Sequence, residues 1–159
     1  MHEPSIYAKS EEYRGYIASK KRYFYGVRVQ LLSTKNGIPV EVVFLPGSAS
    51  DVRALNALPL NLPAGSEVYS DSAYTDYTVE DDLKESSQIS LEVMRKKNSK
   101  RQEKPWVQYI KQHTRHYIET VFSGISCVFP KSIHAVTYKG FLLKLEAFIF
   151  AFTLKKAFV

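Results

Sequence analysis

Aromatic and β-branched residues are dense from Arg22 to Thr34 and again from Ile38 to Leu45, with Lys35-Asn36-Gly37 between them. Asn-Gly is a turn signal, so the pattern predicts a β-hairpin. Pro39, early in the second strand, lacks only an N–H that can face the turn. Ser50 and Asp51 cap a short helix over 52–58, ended by the loop from Pro59 to Gly65. Glu67-Val68-Tyr69-Ser70 reads as a brief strand that delivers Asp71 at its C-terminal end. Thr78 to Asp81 has the form of a capping box opening a helix to about Ser86, and Ile89 to Met94 alternates like a strand. Pro105 suits the first turn of a long helix over 105–127 that carries Trp106, Tyr109, Ile110, Tyr117, Val121 and Ile125. A second long helix, 137–156, holds Phe141, Leu145, Ile149 and Phe152. Residues 1–21 have no sustained period and read as an irregular arm before a folded domain over 22–159. The order hairpin, helix, strand, helix, strand, helix predicts an α/β fold, a mixed sheet flanked by helices.

Composition narrows the class. The chain has 159 residues, 45% hydrophobic and 24% charged, which suits one folded domain and excludes a disordered or collagen-like chain. A single cysteine, Cys127, allows neither an internal disulfide nor a thiolate cluster, as expected of a reducing, cytoplasmic setting. Lys139, Lys144, Glu146, Lys155 and Lys156 interrupt the C-terminal apolar segment, so no membrane partner is expected. The start lacks a basic stretch followed by an apolar one, the mark of a signal peptide. A formal charge of +6 favours a polyanionic partner. There is no Gly-rich phosphate loop, His-Glu-x-x-His pair or Gly-x-Ser-x-Gly elbow, so nucleotide hydrolysis, zinc proteolysis and esterase chemistry lack support.

Two carboxylates draw attention. Asp71 ends a strand, where open α/β sheets place reactive groups, although from local sequence alone a turn or cap role is the better account of it. Glu119 lies among Ile118, Val121 and Phe122 on the long helix, four residues after Arg115, a spacing that also suits a simple surface ion pair. Together, a strand-end and a helical carboxylate are the oxygen donors a hard cation such as Mg²⁺ takes while leaving positions open to phosphate. His113 and His116, at helical spacing ahead of Glu119, form an alternative transition-metal face. Arg95, Lys96, Lys97, Lys100 and Arg101, closed by Trp106, make a candidate phosphate-binding loop with one stacking residue.

These fragments, in order, resemble the catalytic domain of bacterial insertion-sequence DDE transposases. The likeness is carried by the run from Lys21 to Leu32, Asn36 to Glu41, Pro46 to Val52, Tyr69 to Tyr77, Arg95 to Arg101, Ile118 to Ser123 and Phe129 to Thr137. It implies a ribonuclease-H-like mixed sheet flanked by helices, with Asp71 as the second catalytic carboxylate, Glu119 as the third, and Arg115 one helical turn before it. It also implies two Mg²⁺ or Mn²⁺ ions in a complete relative, and double-stranded DNA, element ends and target, as substrate. The family's first aspartate lies upstream on the central strand, whereas no aspartate precedes Asp51 here. The expectation is therefore a C-terminal fragment lacking that first, central strand, weakly active or inactive alone, associating with itself or with a full-length transposase. The alternative is a non-catalytic DNA-binding remnant or regulator.

Overall fold

The computed structural model describes residues 10–130 and 132–158, which form two compact units, one from residues 10–58 and 122–158 and the other from 59–121. Among the described residues the first holds two strand pairs and the second one.

In the first unit, β1 (Arg14–Ile17) pairs antiparallel with β2 (Arg22–Tyr25), and β3 (Val27–Ser33) pairs antiparallel with β4 (Pro39–Pro46). The β3–β4 hairpin is the one the Asn36-Gly37 signal predicts, with Gly37 at φ 76° and a register shift beside Ser33 where Pro39 enters. The apolar run before it is not one strand. It breaks at Gly26, so that Arg22–Tyr25 pairs backward with Arg14–Ile17, inside the stretch read as an irregular arm. Residues 1–9 of that arm lie outside the described residues. Helix α1 (Asp51–Ala57) starts at Ser50, whose hydroxyl accepts from the Arg53 amide. Helix α4 (Tyr138–Phe158) turns Leu145, Ile149 and Phe152 inward, and Leu31, Ala54 and Leu55 are buried in the same unit.

Gly47 is closely hemmed in by backbone. Its amide donates to the Gly26 carbonyl at 2.9 Å, and the Gly26 amide donates to the Tyr13 carbonyl at 2.9 Å. A Cβ on Gly47 would lie 2.5 Å from the Tyr13 oxygen and 2.8 Å from the Gly26 oxygen, both backbone atoms with little room to yield. Gly47→Ala is expected to cost about 1–3 kcal/mol, the usual range for overpacking, read as a lowered denaturation midpoint with an unchanged slope.

The second unit is a βαβ crossover followed by a helix. β5 (Glu67–Ser70) pairs parallel with β6 (Ser90–Val93) through helix α2 (Tyr77–Ser87), and helix α3 (Pro105–Val128) begins beyond the basic loop. Val68, Ile89, Leu91 and Val93 are buried, as the alternation of these short strands requires. The cap of α2 is Asp76, whose side chain accepts from the Thr78 and Val79 amides, so the helix starts one residue ahead of the Thr78 capping box.

A single mixed sheet is the expectation that changes. The described strands make three two-stranded sheets, because each pair closes on itself through a turn or the α2 crossover and no described strand has two partners. The class is mixed α/β with four α-helices among the described residues.

Candidate functional site

Asp71 follows β5 directly and caps the 3₁₀ turn Ser72–Tyr74. Its Oδ1 accepts from the Ser72 amide at 2.6 Å and the Ser72 hydroxyl at 3.2 Å. The capping role is real, and it leaves the second oxygen, Oδ2, uncommitted to the backbone. That oxygen faces Arg115 on α3, whose Nη2 stands 3.6 Å away. The Nε of the same guanidinium donates to Glu119 Oε1 at 3.2 Å. Both acids named from sequence are thus brought to one side chain, 41% and 57% exposed, open to solvent on the same unit. The i,i+4 pair is also real, so local roles and convergence hold together.

His116 Nδ1 lies 3.6 Å from Glu119 Oε2. His113 does not join it: its ring stacks on Tyr109 at 6.4 Å between centroids. No cluster of three or more His, Cys, Asp or Glu side chains with metal-holding geometry occurs among the described residues. The histidine-face alternative therefore has one histidine and one carboxylate, which is too few donors for a transition metal. As for a hard divalent ion, the donors fit in kind: two exposed carboxylates match Mg²⁺, which binds through one or two carboxylates plus water and substrate phosphate.

The basic run divides into two groups. Arg95 and Arg101, expected from sequence to face phosphate, are engaged internally. Arg95 is buried, its side chain 6% exposed, and grips the equally buried Glu80 with two bonds of 2.7 and 2.5 Å. Arg101 grips Asp81 with bonds of 2.8 and 2.6 Å and reaches Glu80 at 3.5 Å. The Tyr77 ring lies under both guanidinium groups, at 5.4 and 4.6 Å. Its hydroxyl meets the Ser99 hydroxyl at 2.7 Å and accepts from the Lys100 amide. The Ser99 bond foremost, with the Lys100 and Arg101 backbone and the Arg95 charge, holds this phenol below its ordinary pKa despite the opposing effect of desolvation. The Gln102 side-chain amide adds bonds to the carbonyls of Lys96, Lys97 and Ser99. Lys96, Lys97 and Lys100 are left exposed on an internally braced loop. Trp106 is 60% exposed, with the Lys104 ammonium 4.9 Å from its ring centre.

Sequence reasoning passed over Glu80, Glu103 and Lys111. The Lys111 side chain, 2% exposed, donates to the Val93 carbonyl at 3.2 Å and pairs with Glu92 at 2.8 Å and with Glu103. A signal was available: Lys111 falls between Val107 and Ile118 on the apolar register of α3, and Glu80 shares a helix face with Val79 and Leu83. Charges in an apolar register need buried partners.

The second unit thus carries a strand-end carboxylate and a helical carboxylate on one arginine, and a braced loop with three exposed lysines, on an α/β frame. The model of the transposase DDE domain family matches residues 2–142, most of the chain, and the chain belongs to that family. No curated protein and no solved structure gives a match. Membership brings DNA transposition as the general activity and divalent-metal chemistry as its usual means. No helix among the described residues is long and apolar enough to cross a membrane.

Proposed function

We propose that this chain carries part of the machinery for metal-dependent phosphodiester cleavage and strand transfer at the ends of an insertion sequence, on a ribonuclease-H-like frame. The observation that supports this most is the shared Arg115 guanidinium, which draws Asp71 and Glu119 together from a strand end and a helix separated by the α2 crossover and the basic loop. In this reading the two carboxylates hold Mg²⁺ or Mn²⁺. A bound ion of this kind polarises phosphoryl oxygens and makes a nucleophile available near neutral pH. Before a metal ion enters, Arg115 holds Glu119 through its Nε bond. Lys96, Lys97 and Lys100 neutralise the DNA backbone, a contact that positions the duplex without reading its sequence. Trp106 offers a stacking face to any unpaired base.

Two converging carboxylates do not by themselves supply the two-ion clamp that stabilises both attacking and leaving oxygens. The described residues taken alone are therefore expected to cleave weakly or not at all. The second reading, a non-catalytic DNA-binding remnant or regulator, draws on that same shortage of acidic donors.

Fluorescence anisotropy with duplex DNA tests the binding half. Replacing Lys96, Lys97 and Lys100 by alanine should weaken binding across unrelated sequences and reduce the log–log salt slope by about 3. An unchanged slope removes the loop from the interface. Incubation with Mg²⁺ or Mn²⁺ and element-end DNA tests the chemistry: robust cleavage abolished by Asp71→Asn overturns the weak-activity part. Binding that persists in EDTA with no cleavage in metal favours the non-catalytic reading.

A further inference from the structure

We propose that Arg115 occupies the place of a cation between Asp71 and Glu119, so that a divalent metal enters this site only by competing with a guanidinium of the chain itself. The inference rests on the reading of these carboxylates as metal donors and adds a competitor to it.

The bonding pattern of each acid carries the argument. Asp71 has one oxygen committed to Ser72, and the oxygen left over is the one that faces Arg115. Glu119 likewise turns Oε1 to Arg115 and Oε2 toward His116. The guanidinium therefore meets the oxygen of Asp71 that would be free to ligate and one of the two that Glu119 has. Two carboxylates and one guanidinium leave a formal charge of −1 in the trio, against −2 once the arginine has moved aside. For a metal ion to enter, the guanidinium has to swing away. It can do so, since its side chain is 47% exposed on a flexible stem at the helix surface. A positive charge about 5 Å from a dication in a water-like dielectric weakens binding by about tenfold. Competition of this kind keeps the acids paired until metal and phosphate arrive together, with the phosphate a ready partner for the displaced arginine.

Manganese binding to the full chain, followed by the loss of the free Mn²⁺ electron-spin signal, tests this without any activity readout. Four proteins are compared: the unaltered chain, Arg115→Gln, the pair Asp71→Asn with Glu119→Gln, and all three changes together. Glutamine keeps the helix propensity and removes the charge. Arg115→Gln is expected to bind Mn²⁺ about tenfold more tightly, and the triple variant is expected to lose that gain. Equal or weaker binding by Arg115→Gln, with weakened binding in the carboxylate pair, overturns the competition while leaving the donors in place. Binding indifferent to the carboxylate changes in both backgrounds defeats the donor reading, and the competition with it.

Discussion

Glu80→Ala is expected to remove about 3–5 kcal/mol of stability, because it strands the Arg95 guanidinium in a site where that side chain is 6% exposed. The loss exceeds that of any surface ion pair in the chain, since exposed pairs contribute about 0–1 kcal/mol. Arg95 cannot neutralise itself by losing a proton, and no acid among the described residues takes over both bonds: Glu103 stands 3.6 Å from Nε. Denaturant unfolding followed by circular dichroism checks this directly. A midpoint shift equivalent to less than about 1 kcal/mol would mean that water or Glu103 reaches Arg95 readily. The same variant should bind DNA more weakly than the unaltered chain under folding conditions. Glu80 sits at the root of the brace that holds Lys96, Lys97 and Lys100 on display, and a loosened loop has to be ordered again on binding.

Lys111→Met is expected to cost about 3 kcal/mol and to change the acid sensitivity of the fold. Methionine fills the space of the buried stem but leaves Glu92 and Glu103 without their common ammonium group and the Val93 carbonyl without that donor. The pH dependence has a definite sign. Burial alone would push the Glu92 carboxyl up, but the Lys111 bond and charge, the Ser90 hydroxyl and Arg95 more than offset this and hold it below its ordinary value. A carboxylate held low contributes stability that is fully present above its unfolded pKa of about 4.3 and disappears as pH falls through the folded value. In Lys111→Met the Lys111 part of the offset is gone and only the Ser90 hydroxyl and Arg95 still oppose burial, so the acid unfolding midpoint should move to higher pH. Acid titration of the two proteins by circular dichroism decides it; coincident midpoints would show that Lys111 does not stabilise the Glu92 carboxylate.

Much of the fold was readable before any coordinates, and for local reasons. The bounds of α3 and α4 and the ends of β5 follow from Pro105, from apolar periodicity and from short alternation, all of which operate within a few residues. Asp71 at a strand end and Glu119 one turn after Arg115 follow from the same local signals. The break at Gly26 was hidden because both halves of that run are equally strand-forming; what separates them is a partner, Arg14–Ile17, drawn from a segment with no periodicity. Pairing of charges was the least legible level. Arg95 and Lys111 look like surface residues in composition, and only the fold brings Glu80, Glu92 and Glu103 to them. Two of the five basic residues of the loop, Arg95 and Arg101, thus turn out to be its scaffold, a distinction that net charge cannot make.

That Asp71 and Glu119 serve one cation site is the claim on which the functional reading depends, and paramagnetic broadening measures it most directly. Mn²⁺ titrated into isotope-labelled protein should broaden the amide signals of Ser72 and Thr120 together, over one concentration range, and Asp71→Asn should abolish both responses. Broadening of one signal while the other stays sharp, or responses that survive Asp71→Asn, would contradict a shared site.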